Sequence, residues 1–228
     1  MTRMNDVRAV LFDFDGTLAD TAADLSRAIN QLRAARGLDD FPLEKLRPFA
    51  SAGARGMLQA ALRILPDHPE FTSMRDEFLR HYADAICVDT RLFPGMELLL
   101  DEIEKRGLRW GIVTNKSARF THEIVAALGL TRRAACVVSG DTTPHLKPHP
   151  ASLLHAAKEL ALEPAACVYL GDDPRDIQAA RSAGMRSVAV AWGYGADLRT
   201  WQADAVISQP PEPARVPSRH GAARQGEA

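Results

Sequence analysis

Two aspartates one residue apart, Asp13 and Asp15, close an apolar run in VRAVLFDFDGTLADT, residues 7–21. Like charges repel at the end of a buried strand, so the pair calls for a cation or for a reaction that needs both. Residues two apart in a strand share a face, which lets both carboxylates point one way while Phe14 turns to the packing side. Gly16 permits a tight turn, and Thr17 can bond the turn backbone. Three further clusters carry matching chemistry. GIVTNK offers the Thr114 hydroxyl and Asn115, with Ser117 placed to cap a following helix, whose N-terminus suits a phosphate. HLKPHP offers the Lys147 ammonium in a loop that Pro148 should keep extended. VYLGDDPRDI offers Asp172, Asp173 and Asp176.

These side chains need elements to position them. Short apolar runs at 8–12, 108–114, 135–139, 167–171, 187–191 and 205–207 read as strands that alternate with helices, the pattern of βαβ units and a parallel sheet. Met96, Leu99, Leu100 and Ile103 recur at helical spacing, as do Phe120, Ile124 and Leu128, then Leu153, Leu154, Ala157 and Leu160. Gly107 and Gly129 fall where a helix ends. Each polar cluster then follows a strand, at the carboxyl edge where open parallel sheets bind ligands. The segment 20–89 differs: it reads as helices over 24–36, 58–65 and 71–87 without a convincing strand. The expected fold is a Rossmann-like, doubly wound α/β core, residues 1–19 and 90–207, with an inserted all-helical cap, 20–89. The Pro-, Ala- and Arg-rich segment 208–228 reads as a disordered tail.

Composition bounds the classes. The 228-residue chain is 46% hydrophobic and 25% charged, with a net charge of −1, an ordinary globular balance that gives no reason to expect nucleic acid or an acidic membrane as partner. No run approaches a membrane span or a signal peptide. The three cysteines, Cys87, Cys136 and Cys167, form no CxxC pair and read as reduced thiols of a cytoplasmic protein. Oligomeric state is not legible. Asp173 before Pro174 is a natural helix N-cap, with Asp176 at N3, where a carboxylate suits the helix dipole. His145, His149 and His155 match no compact zinc spacing. Arg55, in the glycine-flanked SAGARG of the insertion, reads either as a surface arginine or as a group that a mobile loop lowers onto the substrate.

Asp13-x-Asp15-Gly-Thr17, Thr114, Lys147 and Gly171-Asp172-Asp173-x-x-Asp176, in that order, resemble the haloacid dehalogenase-like phosphohydrolase superfamily, over residues 7 to about 207. FDFDGTLADT, LFPGMELLLDEIEKRG, VTNK and LKPHP look most like phosphoglycolate phosphatases and nearly as much like N-acetylmuramic acid 6-phosphate phosphatases. The resemblance implies a phosphomonoester hydrolase for a small phosphorylated metabolite. Asp13 is then the nucleophile that forms an aspartyl phosphate, and Asp15 the general acid and base. Thr114, Asn115 and Lys147 hold the phosphate, and Arg55 meets the leaving group. Mg²⁺ is held by Asp13, the Asp15 carbonyl and Asp172, with Asp176 in the outer sphere. A sugar phosphomutase of the same fold is an alternative. Asp15 argues against a dehalogenase or a phosphonoacetaldehyde hydrolase.

Overall fold

The computed structural model describes residues 7–210; most of the expected tail lies outside that range. Eight strands are present among these residues: β1 (Ala9–Phe12), β2 (Ala19–Asp20), β3 (Arg91–Leu92), β4 (Arg109–Val113), β5 (Val137–Val138), β6 (Cys167–Gly171), β7 (Arg186–Val190) and β8 (Ala205–Ile207). Six of them form one all-parallel sheet in the order β5-β4-β1-β6-β7-β8. The apolar character of β1 follows from its place inside the sheet, covered on both faces. Val10 and Phe12 pack to one side with Trp110, Ile112 and Leu170, whereas Ala9 and Leu11 pack to the other with Val113, Cys167 and Tyr169.

Helices cover both faces, as the alternating pattern requires. Helices α5 (Met96–Lys105) and α6 (Ala118–Ala127) place Leu100, Ile103, Phe120 and Ile124 on the first face. Helices α7 (Ala151–Glu159) and α8 (Pro174–Ser182) place Leu153, Ala156, Ala179 and Ala180 on the second. Gly107 and Gly129 follow α5 and α6 at φ +71° and +72°, conformations that end a helix at little cost only for glycine.

Between β2 and β3 the chain is helical: α1 (Ala22–Ala34), α2 (Leu43–Leu46), a 3₁₀ turn (Arg47–Ala52), α3 (Gly53–Leu62) and α4 (Phe71–Asp84). Leu25, Ala28, Ile29 and Leu32 of α1 meet Met57 and Leu58 of α3 and Met74, Phe78 and Tyr82 of α4 in one apolar cluster. Burying each large side chain stabilises by about 1.5–3 kcal/mol. The helices expected over 24–36 and 71–87 run over Ala22–Ala34 and Phe71–Asp84, and two further expectations for this segment change. The helix expected over 58–65 begins at Gly53 and ends at Leu62, because Met57, Leu58 and Ala61 continue a stripe that the glycines obscured. The segment is also bounded by a ribbon, since β2 pairs antiparallel with β3 and so joins the outgoing and returning chains. Two-residue strands leave no periodic signal. Asp24 reinforces the junction by accepting from the N–H groups of Asp89 (3.0 Å) and Thr90 (2.8 Å) and from the Thr90 hydroxyl (2.6 Å). No helix among the described residues is long and apolar enough to cross a membrane.

Candidate active site

The parallel register brings four strand ends to one edge. Phe12 sits beside Ile112 and Leu170, and Val113 beside Val138, so Asp13, Thr114 and Asp172 emerge together. Main-chain bonds fix two of them: Asp13 N–H donates to the Leu170 carbonyl and Thr114 N–H to the Val138 carbonyl, each at 2.9 Å. After Asp13 the chain turns sharply. Gly16 adopts φ +91°, and a Cβ there would run into the Asp172 carboxylate, so both conformation and space demand glycine. Thr17 bonds the turn backbone only through its main-chain N–H, which donates to the Phe14 carbonyl at 3.4 Å. Its hydroxyl donates to Asp172 at 3.0 Å.

Asp13, Asp172 and Asp176 are all buried, and oxygens from the three lie within 4.8 Å of one another, the one such group among the described residues. Burial, then Asp13 and Asp176, push the Asp172 carboxyl up to about 8. Burial and Asp13 push Asp176 up to about 7, with Lys147 pulling the other way. The Lys147 ammonium lies 2.8 Å from Asp13 and 2.7 Å from Asp176, and it also donates to the Val113 carbonyl at 3.0 Å. Burial works against its charge, but the two carboxylates outweigh this and hold its pKa above the ordinary lysine value. Tyr169 supports the group: its hydroxyl accepts from Lys147 and donates to the Val113 carbonyl, each at 2.7 Å.

Around this centre five carboxylates (Asp13, Asp15, Asp172, Asp173 and Asp176) meet three buried or half-buried cations (Lys116, Lys147 and Arg175). Fully ionised, the group carries two excess negative charges. Oxygen-only donors, convergence and a divalent excess together fit a hard cation such as Mg²⁺. Asp176 has most of its capacity spent, with one oxygen on Lys147 and the other accepting from Asp173 N–H at 3.1 Å. Asp173 is the N-cap of α8. Its carboxylate accepts from Arg175 N–H at 2.9 Å and pairs with the Arg175 side chain at 2.7 Å.

The remaining expected residues are arranged less simply. The Asp15 carboxylate accepts from the Thr21 hydroxyl at 2.5 Å and from Lys116 at 2.8 Å. The Asn115 carboxamide makes a two-way pair with the Lys147 main chain at 2.9 and 3.0 Å, so its side chain braces that loop at the edge of the cavity it lines. Ser117 precedes α6, but its side chain makes no capping bond; Asp141 accepts from the Ala118 N–H instead, at 2.8 Å. The Lys147–Pro148 peptide is cis, where the sequence reading expected an extended loop. Arg55 sits in the first turn of α3, not in a loop, exposed at the cavity lip and without an ion pair among the described residues. His145 and His149 meet as tilted rings with centroids 4.4 Å apart and gather no third ligand among the described residues.

Several contributors were missed in the sequence reading. From the insertion, the Ser51 hydroxyl donates to Asp172 at 3.0 Å, and the Ser51 carbonyl accepts from Arg175 at 3.1 Å. Tyr194 N–H donates to Asp172 at 2.9 Å, while its hydroxyl accepts from Thr21 N–H at 2.8 Å. Lys116 follows Asn115 directly, so strand-end proximity was a usable signal for it. Tyr82 sits on an apolar helical stripe and reads simply as core. A cavity of about 530 Å³ opens above the carboxylates, walled by Leu25, Phe78, Tyr82 and Phe120.

Comparison with known proteins agrees with this geometry. The family model described as haloacid dehalogenase-like hydrolase matches residues 10–190. A phosphoglycolate phosphatase of Xanthomonas campestris is 44% identical over 216 residues, covering 92% of this chain and 97% of that one. An N-acetylmuramic acid 6-phosphate phosphatase of Pseudomonas putida is 42% identical over 213 residues, covering 92% and 96%. The crystal structure of a predicted phosphoglycolate phosphatase from Haemophilus somnus superimposes with a TM-score of 0.79 at 25% identity, covering 91% and 96%. A match over most of the chain, on a parallel sheet whose strand ends gather these carboxylates and this lysine, places the protein in the haloacid dehalogenase-like hydrolase family.

Proposed function

We propose that the protein is a Mg²⁺-dependent phosphomonoesterase of the phosphoglycolate phosphatase type, with residues 20–89 acting as a cap over a core of 1–19 and 90–207. The observation that carries this is the Lys147 ammonium held between Asp13 and Asp176, beside Asp172 and below a half-open cavity. Such a floor binds a phosphoryl group and gives it a nucleophile. An Asp13 oxygen attacks phosphorus as the bond to the leaving oxygen breaks, and Asp15 gives that oxygen a proton. Asp15 then takes a proton from water, which attacks phosphorus and releases Asp13 and inorganic phosphate. Thr114, the Asn115 main chain and Lys147 hold the phosphoryl oxygens. Asp13, Asp172 and the Asp15 carbonyl would hold Mg²⁺, with Asp176 in its outer sphere, and the cation offsets the charge that sets substrate against nucleophile.

A second reading has its own support. The cavity volume falls within the range that holds drug-sized ligands, so it also admits N-acetylmuramic acid 6-phosphate, the compound named for the Pseudomonas relative. A mutase reading loses ground. Lys45 is exposed outside the cavity, which leaves Arg55 as the one cation of the insertion lining it among the described residues. The deciding experiment is phosphate release with Mg²⁺, comparing kcat/KM for 2-phosphoglycolate and N-acetylmuramic acid 6-phosphate. Phosphoglycolate ahead by orders of magnitude supports the first reading, and the reverse order installs the second. Full activity in EDTA would remove the metal from both.

A further inference from the structure

Hydrogen-bond donors converge on one side of the cavity without acceptors to match them. The Lys116 ammonium is largely covered, and among the described residues its one ion-pair partner is the Asp15 carboxylate at 2.8 Å. An ammonium carries three donors; the Tyr82 hydroxyl takes a share of a second, which leaves at least one open toward the cavity. The face of the Tyr82 ring, 4.9 Å away, stabilises the cation but does not satisfy an open donor as a carboxylate would. The Tyr82 hydroxyl is also buried, faces the ammonium without a well-aligned bond and has no other partner. Both side chains line the cavity. A ligand that brings acceptors recovers the cost of leaving such donors unmet.

Their position says which part of a ligand they meet. If Asp15 protonates the leaving oxygen, a group 2.8 Å from Asp15 stands within a few bonds of that oxygen on the leaving-group side. We infer that Lys116 and Tyr82 form a carboxylate-binding subsite that selects phosphate monoesters of small 2-hydroxy acids, in which the carboxylate is attached to the ester carbon. The inference rests on the proposed role of Asp15. It deepens the phosphoglycolate reading and opposes the amino-sugar one, whose carboxylate is many bonds from its phosphate. Tyr82 comes from α4 and Lys116 from the loop after β4, so the subsite is assembled only where insertion and core meet.

The test compares kcat/KM for 2-phosphoglycolate with that for 2-hydroxyethyl phosphate, which replaces the carboxylate by an uncharged hydroxymethyl group. The wild type is expected to prefer the acid by roughly 10- to 150-fold, the worth of one charged hydrogen bond. Lys116→Met should erase most of that ratio and Tyr82→Phe a smaller part. Lys116 also touches Asp15, so the ratio, not the absolute rate, is the readout. Calorimetric binding of both esters to Asp13→Asn protein, with and without Lys116→Met, reads the same preference without turnover. Tyr82→Phe removes only a hydroxyl and keeps the test alive should the lysine variant not fold. An unchanged ratio in Lys116→Met overturns the subsite, leaving Lys116 as a brace for Asp15. A wild type indifferent to the carboxylate overturns it too, yet leaves the phosphatase reading standing. Hydrolysis of neither ester, nor of p-nitrophenyl phosphate, would sink the phosphatase reading and the subsite with it.

Discussion

The floor and the roof of the cavity are built by different physics. The floor is made of strand ends, where main-chain bonds fix Asp13 and Thr114 before any side chain matters. Its side chains are then cross-braced, as Lys147 is between two carboxylates and a carbonyl. The roof is made of helices packed on one another, and it offers mainly apolar surface, Leu25, Phe78, Leu79 and Tyr82, with Arg55 at the lip. A rigid polar floor suits a reaction that is the same for every phosphate ester. A packed, mostly apolar roof suits a choice among leaving groups, which repacking can change without touching the chemistry.

Substitutions can break that division, in descending order of effect. Asp13→Asn should cost on the order of 10⁴-fold or more in kcat while the circular dichroism spectrum stays native; normal turnover removes the nucleophile assignment. Phe78→Ala strikes the roof and should cost about 3–5 kcal/mol in denaturant unfolding, because Phe78 is fully buried among α1, α3 and α4. A loss under about 1 kcal/mol would show that the insertion is not a packed unit. Thr114→Ala should lower kcat by about 10²–10³, as expected for one lost donor to a developing charge, with recovery in Thr114→Ser. No recovery would mean that Thr114 serves β4 and not the phosphoryl group.

The next effect depends on pH. In chelator, folding raises the pKa of Asp172 to about 8 and of Asp176 to about 7, against 3.8 for an ordinary aspartate. The folded chain therefore retains protons that the unfolded chain has lost, and stability falls as pH rises from about 4 to about 8. Added Mg²⁺ should flatten that slope and release protons. A melting temperature that rises with pH across this window in EDTA would refute the crowding of these carboxylates. The smallest effect is expected at Arg55. An exposed, unpaired arginine should contribute less than about fivefold, so Arg55→Ala should lower kcat/KM on 2-phosphoglycolate only slightly more than on p-nitrophenyl phosphate. A hundredfold difference would move the recognition of the leaving group from the buried wall to the lip.

The same division explains what the sequence could tell. Strand-end chemistry is local: an apolar run, then Asp13-x-Asp15, or Thr114 after GIV, announces both the element and its edge. The capping box at Asp173 and Asp176 was likewise legible, because its residues are three apart. Ser51, 121 residues from Asp172, and Tyr194, 173 residues from Thr21, were not. Their roles arise from how the insertion settles on the sheet, which no window of a dozen residues encodes. Tyr82 shows the limit most plainly. Its spacing on α4 with Met74 and Phe78 announces core, and it is core, yet its side chain also walls the cavity with its ring against Lys116.

Ser51 touches two charged groups of the floor at once, Asp172 through its hydroxyl and Arg175 through its carbonyl. Lifting the insertion away would strip a donor from the most strongly perturbed carboxylate and an acceptor from a guanidinium. Whatever steadies Asp172 therefore steadies the insertion where it sits, and by reciprocity the insertion in this place tightens the hold on whatever Asp172 binds. If the insertion lifts in each turnover, product escape and cation exchange would draw on a single free-energy difference. A chain altered at Ser51 should turn over and trade its metal on a new, shared timescale.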